Sequence, residues 1–146
     1  MPTFSRTATI DWQGTLMEGS GTAKAGTGAF ALPVTFPRRI GDPEGTTSPE
    51  ELIAAAHGSC YAMVVAGALG RAKASVTGAQ VVCTVTADKS DAGIKITTST
   101  LDLSVEGLSG MDAATFEQTA RDAEGKCPVS GALRGSLTIE VNVTVK

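Results

Sequence analysis

Residues 48–70, SPEELIAAAHGSCYAMVVAGALG, decide how the rest of the chain is read. Ser48 is a good helix N-cap. Pro49 suits the first helical position, where its missing N–H would have had no partner, and Glu51, three residues after the serine, completes a capping box. Between Glu51 and Arg71 the polar side chains are His57, Ser59 and Tyr61. A helix that is apolar nearly all round is expected to be buried nearly all round. Ala54, Ala55, Ala56, Gly58, Ala62, Ala66 and Gly67 keep it thin, so neighbouring elements can approach its backbone closely. At its middle stands Cys60.

Working outward, the N-terminal side reads as strands. Ala8, Ile10 and Trp12 alternate with Thr7, Thr9 and Asp11, the pattern of a half-buried strand. Residues 16–25 can return as a second strand, AGTGA at 25–29 reads as a turn, and Phe30, Leu32, Val34 and Phe36 alternate again, which makes a three-strand meander. PRRIGDPEGTT, residues 37–47, is read as a Pro/Gly loop that delivers the chain to the long helix. On the C-terminal side, residues 76–87 place Val81, Cys83, Val85 and Ala87 on one strand face, and residues 94–106 return. Ile94 and Ile96 are out of phase with Leu101, Leu103 and Val105, so a bulge is expected near residues 97–100. Asp112 caps a second helix with Phe116, Ala120 and Ala123 inward and Gly125 at its end. A short helix begins at Cys127–Pro128 and closes at Gly135. Leu137, Ile139, Val141, Val143 and Val145 finish the chain as a strand. This order predicts a single α+β domain over residues 1–146, with mainly antiparallel pairing.

With 146 residues the chain can build a core without metal or disulfide staples. A formal charge of −3 and basic residues that form no long run argue against nucleic acid and anionic membrane as partners. The first residues lack the charged and apolar regions of a secretory leader. No apolar run is read as reaching the roughly 20 residues of a bilayer span. Cytoplasmic localisation is expected. The three cysteines, Cys60, Cys83 and Cys127, are too few and too scattered for a secreted disulfide framework.

Their positions differ in chemical meaning. Cys60 is mid-helix in apolar surroundings, where burial alone raises a thiol pKa and leaves it inert, so a plain packing role stands beside a reactive one. Cys127 is read at a helix N-cap, where free N–H groups favour a thiolate, and on position alone a reactive role and a packing role stand level. Cys83, inward among valines, reads as packing. His57, one turn before Cys60, could act as a general base for a Cys-His nucleophile, join a metal site with Cys60 and Cys127, or be a buried histidine with its hydrogen bonds satisfied. Arg38 and Arg39 read individually as solvated loop charges. Since the capping box uses Glu51, Glu50 is free to orient an arginine through a bidentate pair.

SPEELIAAAHGSCYAM together with GKCPVS, separated by a hairpin and a helix, resembles the OsmC/Ohr family of osmotically induced and organic hydroperoxide resistance proteins, over essentially the whole chain. AAAHGSC and PEEL look more like the OsmC branch. The resemblance implies an OsmC-like α+β fold, a mainly antiparallel sheet wrapped around a long central helix, and an intertwined homodimer with sites at the subunit interface. It implies a thiol-dependent peroxidase with no cofactor, reopened by an external dithiol, lipoylated proteins or small dithiols in the family. Its roles fall on Cys60 as the peroxidatic cysteine, Cys127 as the resolving cysteine, Glu50, and an arginine of the PRRIG loop: Arg39, if Ile40 takes the apolar position that follows, or Arg38.

The chemistry of the residues is consistent with those roles. A thiolate attacks a peroxide oxygen to give a sulfenic acid and an alkoxide, and a guanidinium beside it stabilises the thiolate and offsets charge on the leaving oxygen. The sulfenic acid then condenses with a second thiol. Ten residues of helix separate Glu50 from Cys60, about 15 Å at 1.5 Å per residue. If both serve one site, they come from different subunits. Met63, Val64 and Phe36 favour an apolar approach and hence organic hydroperoxides. Two other classes fit the same residues: a Cys-His hydrolase using Cys60 and His57, and a non-catalytic thiol sensor.

Overall fold

A computed structural model describes residues 2–146. Its packing divides the chain into two units, Met1–Leu52 and Ile53–Lys146.

In the first unit, β1 (Ala8–Gln13), β2 (Ser20–Ala25) and β3 (Ala31–Val34) form the expected antiparallel meander in the order β1-β2-β3. Its inward face is open. Ile10 is 59% and Trp12 42% exposed, and they line an uncovered apolar groove of about 410 Å³ with Leu16, Val34, Phe36 and Leu52. The alternation in β1 therefore marks an apolar face that the unit itself does not bury. The PRRIG stretch is not all loop. Thr35 caps a short helix α1 (Phe36–Ile40), accepting the Arg38 N–H, and Pro37 sits in its first turn. A loop reading overlooked that a proline just after a threonine starts helices as readily as it breaks them.

The helix α2 (Pro49–Arg71) runs unbroken for 23 residues. Ser48 Oγ accepts the Glu51 N–H as the sequence predicts, while the Glu51 carboxylate accepts a hydrogen bond from Thr47 Oγ1. Two expectations about this helix need correction. It is long and apolar enough by length and composition to cross a membrane, contrary to the reading that no run was. Nor is it buried all round: His57, Tyr61, Val65 and Leu69 are its buried residues, a stripe four residues apart, and Met63 is 73% exposed. The apolar pattern has no period because apolar side chains lie outside the buried stripe as well, and the described residues bury only that stripe.

In the second unit that stripe meets a sheet ordered β4 (Gly78–Ser90), β5 (Gly93–Glu106), β6 (Thr138–Val145). The β4–β5 pair is antiparallel, and its register slips so that Thr86 faces Thr98 while Ala87 faces Ile96, leaving Thr97 as the bulge that the phase change predicted. The β5–β6 pair is parallel, so the pairing is mainly but not wholly antiparallel. β6 can run that way because α3 (Ala113–Glu124) and α4 (Pro128–Leu133) intervene as a crossover. Leu101, Leu103 and Val105 of β5, Phe116, Ala120 and Ala123 of α3 and the α2 stripe make the core. At Gly58 a side chain would put a Cβ 3.3 Å from the Cys83 Cβ, so the absence of one lets β4 lie close against α2.

Candidate active site

Two clusters of the residues singled out by sequence assemble, one in each unit. In the first, Thr35 starts α1 so that Arg39, in its last turn, reaches the first turn of α2. There Arg39 Nε donates to both Glu50 carboxylate oxygens at 3.1 Å, and Nη2 donates to Oε1 at 2.7 Å. The pair is only partly exposed, 28% and 14% for the two side chains. The Glu50 bond pushes Arg39 further up against the opposing effect of burial, and the guanidinium holds the Glu50 carboxyl below its ordinary range. Arg38 turns instead to Glu44 and the Asp42 carbonyl at the surface. Of the two arginines, Arg39 is the one oriented by Glu50, and it borders the apolar groove. A fork held by both carboxylate oxygens presents its remaining N–H groups in a fixed direction, which a lone lysine could not do.

In the second unit, Cys60 on α2 and Cys127 at the N-cap of α4 stand with their sulfurs 3.1 Å apart, both as free thiols. Cys127 is brought there by the turn after α3, where its N–H bonds the Glu124 carbonyl, and its sulfur accepts the Ser130 N–H. Burial pushes the Cys60 thiol up; the Val129 N–H pulls against this, and the neighbouring Cys127 adds to the rise. Burial also presses Cys127 upward, but hydrogen bonds from the Ser130 N–H and the Cys60 thiol outweigh it and bring Cys127 below an ordinary thiol. Within one chain, then, negative charge on this pair is favoured on Cys127.

His57 is not where a Cys-His nucleophile needs it. Its ring is fully buried, with Nδ1 2.6 Å from Ser99 Oγ on β5 and Nε2 2.7 Å from Ser130 Oγ on α4. Both nitrogens are occupied by hydroxyls, and Cys60 pairs with Cys127 instead. Desolvation lowers the His57 pKa below its ordinary 6.5. Cys83 lies 3.3 Å from Ser99 Oγ at the edge of this network, and burial raises its pKa. Sequence reasoning missed Ser99, Ser130 and the Glu124–Arg134 ion pair, whose Nη2 contacts to the two carboxylate oxygens are 2.9 and 3.0 Å. Ser130 carried a usable signal, a serine three residues after a capping cysteine. Ser99 carried none, since an inward serine on a strand looks like an outward one until the bulge is located.

A profile described as OsmC-like protein matches residues 41–142. The chain belongs to the OsmC-like family. It is 34% identical over 139 residues to the peroxiredoxin OsmC of Escherichia coli K12, covering 94% of this chain and 96% of that one. It is 28% identical over 120 residues to the organic hydroperoxide resistance protein-like 2 of Staphylococcus epidermidis, covering 80% and 82%. A crystal structure of an OsmC organic hydroperoxide resistance protein from Legionella pneumophila superposes with a TM-score of 0.74 at 23% identity, covering 94% of this chain and 96% of that chain. The OsmC-like fold accounts for the two small sheets and the long helix, so the α+β reading holds.

Proposed function

We propose that this OsmC-like protein is a cysteine peroxidase that reduces organic hydroperoxides to alcohols. The observation that carries this reading is the pair of free thiols 3.1 Å apart, one on a long apolar helix and the other capping a short one. A Cys60 thiolate attacks the outer peroxide oxygen; the O–O bond breaks, the alkoxide takes a proton and leaves as alcohol, and Cys60 becomes a sulfenic acid. Cys127 then attacks that sulfur. The S–O bond breaks, water leaves, and a disulfide joins the two residues until an external dithiol, of lipoyl type or a small one, reduces it by thiol exchange. The relatives named as a peroxiredoxin and as hydroperoxide resistance proteins support a peroxidase role.

Cys60 still needs a cation, and Arg39 is the group built to supply one. Glu50 fixes Arg39, while about 15 Å of helix separates Glu50 from Cys60 of the same chain. We therefore assign the arginine beside each Cys60 to a second copy, so that a homodimer is the active form. The exposed apolar side chains of Ile10, Trp12 and Met63 support such a partner. The groove bordering Arg39 would then take the organic part of the peroxide, favouring alkyl, aryl or lipid hydroperoxides over hydrogen peroxide. The chemistry suits a reducing cytoplasm and needs no resident cofactor.

Steady-state consumption of cumene hydroperoxide with dithiothreitol tests the assignment. Wild type should turn over repeatedly, with a higher kcat/KM than for hydrogen peroxide, and Cys60→Ser should be inactive. Retention of the wild-type rate by Cys60→Ser would end the proposal.

A further inference from the structure

The sulfur contact has a twin. On α2, His57 precedes Cys60 by three residues; at the start of α4, Ser130 follows Cys127 by three. Residues three apart on a helix are surface neighbours. The two helical segments thus touch twice, at 3.1 Å between the sulfurs and at 2.7 Å between His57 Nε2 and Ser130 Oγ. The imidazole cannot swing to follow α4, because Nδ1 is held 2.6 Å from Ser99 on β5. His57, Ser99 and Ser130 are all fully buried, and among the described residues no buried side-chain nitrogen or oxygen lacks a partner. An apolar side chain would fill this space at less desolvation cost. What it would not give is direction: a buried, fully satisfied hydrogen-bond chain allows one relative placement of the elements it joins, whereas apolar contacts allow several.

We propose that His57 is the positioning residue of the disulfide-forming step: through Ser130 it holds the first turn of α4, and with it Cys127, in register with Cys60. The proposal rests on the peroxidase reading for its place in the cycle, though not for the geometry. Displacement at the oxidised Cys60 sulfur is in line, so Cys127 must enter opposite the S–O bond and close from 3.1 Å to about 2 Å, which makes the step depend on where its segment is held. The outer ends of the Cys127 segment are clasped by the Glu124–Arg134 ion pair. Its inner anchor is Ser130, whose N–H also binds the Cys127 sulfur. The Cys127 thiolate then forms the S–S bond as the Cys60 S–O bond breaks, and hydroxide leaves as water with the proton the thiol gave up. His57 exchanges no atom in this step. It acts by raising the effective concentration of one sulfur at the other.

Two amide substitutions separate positioning from mere core filling. The amide of His57→Gln reaches the place of Nε2 and retains the Ser130 bond; that of His57→Asn reaches only the place of Nδ1 and retains the Ser99 bond. Each variant, with Ser130→Ala and the His57→Asn/Ser130→Ala double variant, is equilibrated with reduced and oxidised glutathione, and the Cys60–Cys127 disulfide is quantified by mass. In that exchange one oxidised glutathione is reduced to two thiols as the protein dithiol becomes a disulfide. Losing one buried hydrogen bond should lower the equilibrium constant for the disulfide about tenfold in His57→Asn and in Ser130→Ala. His57→Gln should stay near wild type, and the double variant should be no worse than either single one. A His57→Asn constant equal to wild type, or an additive double variant, would overturn the proposal. In parallel, quenched-flow mixing with one equivalent of cumene hydroperoxide should show sulfenic acid forming at the wild-type rate in His57→Asn and the disulfide appearing more slowly. If wild type ignores the hydroperoxide, the peroxidase reading fails, and the glutathione equilibrium still decides the role of His57.

Discussion

Beside the two thiols, Arg39, Glu50 and His57 act through charge or protonation. Arg39 is a fork held by both oxygens of Glu50. Arg39→Lys keeps the charge but loses the bidentate geometry, so the second-order rate with cumene hydroperoxide should fall on the order of 100-fold by stopped flow, as for loss of one preorganised donor. The bond from that guanidinium lowers the Glu50 pKa, so the pair should keep its charge to a lower pH than an unpaired glutamate would. His57 acts on stability as well as on position. Burial depresses its pKa, with Glu124 opposing and Arg134 assisting. As pH falls past about 6.5 the unfolded chain binds the proton before the folded one does. The His57 contribution is therefore intact above that pH and lost as pH drops toward the folded value. Urea midpoints measured from about pH 8 to about pH 5 should decline in wild type and change less in His57→Gln.

At the level of elements, α2 is the hub because Tyr61, Val65 and Leu69 bury one stripe against β5 and α3. The Tyr61 hydroxyl donates 2.7 Å to the Ala120 carbonyl on α3, and its pKa is pushed up to about 12 by burial. Tyr61→Phe should cost about 1 kcal/mol in urea unfolding and Phe116→Ala about 3–5 kcal/mol, since Phe116 is fully buried. Much of this was legible in the sequence. Ser48–Pro49 and Asp112 announced helix starts, Phe116, Ala120 and Ala123 announced a packed face, and the phase change between Ile96 and Leu101 announced the bulge. The cap at Cys127 was legible too, from Pro128 behind it. Three features were not. α1 is too short to show a period, the direction of β6 depends on a crossover that no local pattern encodes, and the His57 network joins residues 42 and 73 positions apart along the chain.

For the molecule as a whole, the apolar sequence of α2 was read as burial on every side, yet one chain covers a single stripe; β1 likewise exposes the face that its alternation marks as inward. A second copy is the occupant proposed for these surfaces, and it should be functional as well as structural. Cys60→Ser and Arg39→Ala chains, each inactive alone, should recover activity after mixing and subunit exchange, to about a quarter of wild type if the copies pair at random in a symmetric dimer. No recovery on exchange would place Arg39 and Cys60 of one site in the same chain. The central claim, that Cys60 is oxidised by a hydroperoxide and resolved by Cys127, is tested most directly by the intact mass of the reduced protein after one equivalent of cumene hydroperoxide. Wild type should lose two hydrogens, with Cys60 and Cys127 linked in the peptide map, and Cys127→Ser should gain one oxygen on Cys60. An unchanged mass with Cys60 alkylatable throughout would contradict it.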